Sequence, residues 1–200
     1  MRRRTLDALL TTGGAIVAVV LLIATGLLVW AGSFANSNVH DQLSQQKITM
    51  PAGAAISDPL IKPYLEKYAG QPMTTGAQAK AYADHYILVH MNKSSGGLTY
   101  EEVSGQYMAL SKDQSADPAK VKALGDLRQT LFMGNALRGM LLNAYAFGTI
   151  GTIAIWGAVA TGAGSLVLFV LAGLGRRHLL RESVGKDVRI GHAAPSAVGV

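Results

Sequence analysis

The sequence predicts an all-α membrane protein in which two transmembrane helices flank a small helical extracytoplasmic domain. Three observations carry this: two long stretches without charge, arginines at the outer sequence end of each, and a middle segment punctuated by helix signals. The charge-free stretches run from Ala8 to Val39 and from Gly139 to Gly175. A helix crosses a bilayer core in about 20 residues, so both are long enough. Ile16 to Trp30 reads IVAVVLLIATGLLVW, with ten residues drawn from Leu, Ile and Val. Those residues favour insertion by roughly 3–6 kcal/mol before the Thr and Gly offsets. The second stretch carries a comparable load in Ile150, Ile153, Ile155, Val159 and the run from Leu166 to Leu171. Trp30, at the outer end of the first, occupies a usual place for an interfacial anchor.

The implied organisation is a cytoplasmic N-terminus (1–11), a first span (12–31), an extracytoplasmic helical domain (32–143), a second span (144–175) and a basic cytoplasmic tail (176–200). Orientation follows from the positive-inside rule. Arg2, Arg3 and Arg4 precede the first span, and the first basic side chain of Lys or Arg after it is Lys47. Around the second span Arg176, Arg177 and Arg181 mark one end and Arg138 alone the other. Both spans therefore put both termini in the cytoplasm of a cell membrane. A cleaved signal peptide is the competing reading, since MRRR resembles an n-region and Ser33-Phe34-Ala35 has small residues at the −3 and −1 positions. The apolar run is longer than the usual 7–15 residues of such a leader.

Small residues recur on the spans: Ala154, Ala158 and Gly162 at i, i+4, i+8 on the second, and Gly14, Ala18 and Gly26 on the first. Such residues let helix backbones approach closely, and packing drives association within lipid. Either the two spans pair through these positions, with each other or with another subunit, or the chain is simply rich in Ala and Gly.

The middle segment reads as short helices. Asp58-Pro59 offers an N-cap and first-turn pair, and Gly70 can close the helix that follows. Thr74 or Thr75 opens a stretch running to the Ser94-Ser95-Gly96-Gly97 loop. Thr99 to Glu102 matches a capping box, predicting a helix to about Leu110. Asp117-Pro118 opens a longer helix with an apolar stripe of Val121, Leu124, Leu127 and Leu131, which can continue through Gly134 and Gly139 into the second span. Lys47 to Met50 is the one stretch that reads as extended. The expected core comprises Leu60, Tyr64, Leu65, Tyr68, Tyr82, Tyr86, Val89, Val103, Tyr107, Leu124 and Leu127.

Composition narrows the chemistry. The net charge of +6 is uneven: +2 in residues 1–11, +3 from Arg176 onward and +1 between. The excess flanks the spans and reads as topology, not as a nucleic-acid footprint. The basic tail can also hold anionic lipid heads at roughly 1 kcal/mol per charge. With no cysteine, thiolate metal sites, thiol catalysis and disulfides are excluded. Three histidines of the middle segment, His40, His85 and His90, with Asp41 and Asp84 near them, raise the question of a metal site. His85 and His90 are five apart, about 140° round an α-helix, whereas ligands on one face need i, i+3 or i+4. No nucleophile elbow, zincin helix, phosphate loop or dinucleotide fingerprint occurs. No cofactor and no catalytic residue is expected. Asn92-Lys93-Ser94 matches a glycosylation sequon by pattern.

The segments MRRRTLDALLTTGG, FANSNVHDQL, YAGQPMTTGAQAKAYADHYI and LRGMLLNAYAFGTI resemble an actinobacterial family of two-span membrane proteins. Members often carry the name of an aromatic-ring-opening dioxygenase subunit. Extradiol enzymes of that class are soluble and bind iron through two His and one carboxylate, a pattern the outer histidines here lack. The resemblance thus implies a Gram-positive-type cell membrane and leaves the role open. The sequence as a whole implies a non-enzymatic integral membrane protein, an accessory or scaffold subunit of a cell-envelope complex. Its partners would be the lipid bilayer and another membrane or envelope protein, or a second copy of itself. The alternative is an extracytoplasmic ligand-binding or sensor module that signals through its two spans. A large apolar pocket with convergent polar groups would favour the sensor; a filled core beneath an exposed apolar patch would favour the scaffold.

Overall fold

The computed structural model describes the backbone of residues 3–191 and the side chains of residues 5–180. The side chains of Arg2, Arg3, Arg4, Arg181, Lys186 and Arg189, and the end of the basic tail over 192–200, lie outside the described residues. The described chain is helical: α1 (Arg3–Gln45), α2 (Lys62–Leu65), α3 (Gly76–Tyr82), α4 (Leu88–Ser95), α5 (Tyr100–Leu110) and α6 (Pro118–Gly191). Short 3-10 turns cover Gly53–Ile56 and Glu66–Tyr68, and a π-helical turn over Ala83–Ile87 joins α3 to α4. Among the described residues the only ladder-type pairing is an isolated antiparallel bridge between Thr49 and Pro72. It is framed by Met50 N–H to Gln71 O (2.8 Å) and Met73 N–H to Ile48 O (2.8 Å).

Both long helices hold a stretch long and apolar enough to cross a membrane, within Thr5–Gln45 and Pro118–Leu180, with peak mean hydropathy of 2.5 and 2.0. The helices extend well past the expected span boundaries. At 1.5 Å per residue, 43 residues of α1 measure about 65 Å and 74 of α6 about 110 Å, each more than the ~30 Å hydrocarbon core. The chain divides into two compact units, one of Met1–Ala31 with Ile153–Val200, the other Gly32–Thr152.

In the first unit α1 and α6 lie antiparallel along a seam with alternating spacings of three and four. The shielded positions are Thr11, Gly14, Ala18, Leu21, Thr25 and Leu28 on α1, and Ala154, Ala158, Thr161, Ser165, Leu168, Ala172 and Gly175 on α6. Ala18 and Ala158 are buried, at 0% and 4% exposure. A Cβ on Gly162 would sit 3.4 Å from Thr25, and one on Gly175 only 2.5 Å from the Thr11 hydroxyl. Gly14 is half-buried with open space around it, whereas Gly26 is exposed. The reason is angular: eight residues beyond Ala18 is about 80° further round the helix, so the adjacent Thr25 holds the seam instead. Two polar links cross it. Ser165 is buried and its hydroxyl donates to Ala18 O at 2.8 Å. Thr25 Oγ1 and Thr161 Oγ1 are 2.8 Å apart, and each also lies within reach of its own helix's carbonyls. One hydroxyl therefore donates to its helix and the other donates across the seam.

The second unit builds a core from Val39, Leu43, Met50, Ile56, Ile61, Leu65, Met73, Ala79, Ala83 and Leu141, with a satellite of Met91, Val103 and Leu131. Leu65 and Val103 are fully buried, but Leu60 and Tyr64, expected inside, are exposed. Their place is taken by aliphatic residues from the end of α1, from the loops and from α6, and the tyrosines pack around the edge of that core. Local signals explain the short elements. Thr75 and Thr99 each cap a helix through a capping box, with Gln78 and Glu102 as the reciprocal partners. Gly96 ends α4 in the left-handed conformation at φ +64°. Asp58 caps a turn ahead of α2, its carboxylate accepting from Leu60 N–H at 2.8 Å, so α2 begins three residues later than the Asp-Pro pair suggests.

Gly76, the first residue of α3, lets that helix start against the backbone of α6. A Cβ there would lie 2.9 Å from Tyr145 Cα and 3.0 Å from Ala144 O. Neither neighbour is a side chain that can rotate away. Gly76→Ala is expected to destabilise this unit by about 2–3 kcal/mol through overpacking, seen as a lower thermal midpoint in detergent. An unchanged midpoint would mean that α3 and α6 separate at no cost.

Candidate functional site

The end of α1 and the middle of α6 enclose a groove of about 330 Å³ in the second unit. From α1 it is lined by Asn38, Val39, Gln42, Leu43 and Gln46, and from α6 by Met140, Leu141, Asn143, Ala144 and Phe147. The buried Val39, Leu43 and Leu141 form its floor, so the floor belongs to the domain core. The α1 wall carries amides at four-residue intervals, and Gln42 Nε2 donates to Asn38 Oδ1 at 2.6 Å. The α6 wall adds the amide of Asn143 to apolar side chains, of which Met140 is 68% exposed and Phe147 53%. Met133 (61%) and Leu137 (38%) extend the same face. The spacing 133, 137, 140, 144, 147 follows the four-three rhythm of a helix-packing face. Just beyond the groove, a Cβ on Gly151 would meet Asn36 Oδ1 at 2.8 Å and Gly32 O at 3.1 Å, so the two helices pack closely there and diverge to open the groove. No ionisable side chain lines it. Its chemistry is that of recognition, with amides for directional bonds and exposed apolar side chains for contact area.

The titratable groups of this unit gather elsewhere, around the π-helical turn. Asp84 accepts from Lys80 Nζ at 2.6 Å and from Arg138 Nη2 at 3.2 Å, and Arg138 Nε donates to Ala83 O at 3.0 Å. The Lys80 hydrogen bond, joined by Arg138, holds the Asp84 carboxyl below its ordinary range despite partial burial. Asp84 in turn raises the Lys80 ammonium. Burial, helped by neighbouring Tyr86, pushes the Tyr82 phenol up, and burial lowers the His85 imidazole. His85 stacks on Tyr64 with ring centroids 3.4 Å apart and planes within 4°. Tyr82, Tyr86 and His90 form a second run of ring contacts at 5.0 and 4.4 Å, with His90 Nδ1 2.7 Å from Tyr86 O. Among the described residues no three His, Asp or Glu side chains are grouped to hold a metal ion. His40 is exposed on α1, and His85 and His90 are engaged with tyrosines.

Of the residues singled out from sequence, Gly14, Ala18, Ala154 and Ala158 lie on the paired face of the first unit, Gly162 beside it against Thr25, and Gly26 outside it. Thr25, Thr161 and Ser165 were not singled out, although a four-three spacing of hydroxyl and small residues marks them. The groove's signal in the sequence is the set of amides at 38, 42 and 46 and the apolar stripe from Met133 to Phe147. No protein-family profile, curated protein or solved structure matches the chain.

Proposed function

We propose that this protein is a non-enzymatic scaffold or accessory subunit of the cell membrane. In this reading both termini lie in the cytoplasm, the paired apolar helices anchor the chain, and residues 32–143 stand outside to engage another envelope protein. The single observation that carries it is the exposed apolar face Met133, Leu137 and Met140 within residues 32–143, over a core that is already filled. Such a face costs solubility and gains by being covered, and its four-three spacing suits an incoming amphipathic helix. The resemblance to actinobacterial two-span proteins is compatible with this role and supplies the membrane. A ligand-sensing module is the second reading, favoured by the amide wall of the groove, whose volume lies at the lower edge of small-molecule sites.

Affinity purification from membranes in mild detergent tests the proposal. A stoichiometric protein partner is expected with the native chain. Met133→Glu with Met140→Glu should reduce its recovery at least tenfold while leaving the helical content unchanged. Recovery of the same partner by the double variant, or the consistent absence of any partner, would overturn the scaffold reading.

A further inference from the structure

Arg128 sits on α6 where α5 packs against it. Its guanidinium lies over two tyrosine rings, with Cζ 5.9 Å from the Tyr100 centroid and 5.4 Å from that of Tyr107. Gly125 makes this possible, since a Cβ there would come within 3.1 Å of the Tyr107 ring. Lys62, Lys80, Lys93, Lys122 and Arg138 each have a carboxylate partner. Arg128 has none among the described residues; its one hydrogen bond is a long 3.5 Å contact from Nη2 to the Tyr100 hydroxyl. Its Nε is buried and makes no hydrogen bond with the protein. The group opens on a cavity of about 240 Å³ lined by Tyr100, Gly125, Arg128, Gln129 and Phe132.

A shielded guanidinium N–H without an acceptor is costly, more so because the group is charged. The tyrosine faces offset part of that cost through cation–π attraction but supply no in-plane acceptor. The terminal Nη edge, whose hydrogen bond to Tyr100 is long, is the part a ligand can reach, and such an edge donates bidentately to a pair of anionic oxygens. We propose that Arg128 anchors an oxyanion-binding site that takes the carboxylate or phosphate group of a small soluble ligand. The Gln129 amide stands at the cavity as a further polar contact, and Phe132 gives the ligand's body an apolar wall. Eleven residues, about 16 Å of helix, separate Arg128 from the start of the charge-free stretch at Gly139. The anion is therefore drawn from solution and not from lipid headgroups.

The test uses the full chain in nanodiscs of neutral phosphatidylcholine, with arginine side chains labelled with nitrogen-15. Inorganic phosphate and acetate are titrated against chloride at matched ionic strength. A saturable displacement of the Arg128 Nε–H resonance by phosphate or acetate is expected, with a concentration-dependent rise in the thermal midpoint. Arg128→Lys keeps the charge but loses the fork, and should bind at least tenfold more weakly; Arg128→Gln should abolish the midpoint rise. If Arg128→Gln does not fold, Arg128→Lys and the native resonance decide. A native resonance indifferent to both anions, an equal midpoint rise in Arg128→Lys, or a response only when anionic phosphatidylglycerol replaces the neutral lipid would each overturn the proposal.

Discussion

Replacing Ala158 by leucine is expected to separate the two apolar helices. Ala158 is 4% exposed in the seam of the first unit, one turn from Thr161. A leucine there adds three carbons where the partner helix already stands at contact, and such overpacking costs about 1–3 kcal/mol. Lipid provides little hydrophobic force to restore the pair, because leucine is as comfortable against acyl chains as against another helix. The link between Thr25 and Thr161 would break with it, removing a further ~0.6 kcal/mol on average for a hydrogen bond within a membrane. The chain has no native cysteine, so a Thr25→Cys, Thr161→Cys pair reports the distance directly. Disulfide formation in membranes should be rapid in that background and fall about tenfold when Ala158→Leu is added. Val159→Leu, on a position 57% exposed, is the matched control and should leave the crosslink intact. Equal crosslinking in all three would show that the small residues do not set the pairing.

That seam also shows how far the sequence could be read. In water a helix face announces itself by hydrophobic residues among polar ones; inside an apolar stretch every face is hydrophobic, and that contrast vanishes. The information moves to the small and hydroxylated residues. Reading only Gly and Ala finds Ala18, Ala158 and Gly162, yet includes Gly26 and passes over Thr25, Thr161 and Ser165. Most local signals are legible, because a cap needs only three or four neighbours; Asp58-Pro59, which caps a turn and not α2, is the exception. Thr75 with Gln78, Thr99 with Glu102, and the start of α6 at Pro118 all lie where the sequence puts them. Contacts between distant segments were not. Nothing near Arg128 announces that Tyr100 and Tyr107 will lie under it, and nothing near Met140 announces the amides of α1. The π-helical turn is also silent in sequence: its Ala83 carbonyl accepts from Arg138 of α6 as well as from Leu88 N–H, and nothing near Ala83 announces the distant partner.

Arg138 is what α6 brings, and Arg138→Met is expected to destabilise the second unit by about 2–4 kcal/mol. Leu88 N–H reaches back five residues to Ala83 O, and the same carbonyl accepts from Arg138 Nε at 3.0 Å. The other arm of the guanidinium reaches Asp84 at 3.2 Å, with the two side chains only 20% and 22% exposed. One side chain thus satisfies the carbonyl at the π-turn and half of the partially buried carboxylate beside it. Methionine keeps the apolar stem and removes both bonds, so the cost falls on groups that water reaches poorly. In a domain of this size the thermal midpoint should drop by roughly 8–15 °C. The pH dependence identifies the cause. Asp84 is held below its ordinary 3.8 by Lys80 and then Arg138, so its contribution is present above that value and lost as pH falls through the folded-state pKa. Lys80 is raised above 10.5, so its share is present below that value and lost as pH rises through the higher folded-state pKa. Between these limits the gap between native and Arg138→Met should be constant, and it should narrow in acid as Asp84 protonates, leaving the part owed to the Ala83 carbonyl. Melts followed by near-ultraviolet circular dichroism across that range decide the matter. A gap that does not narrow in acid would assign the loss to packing and not to the ion pair.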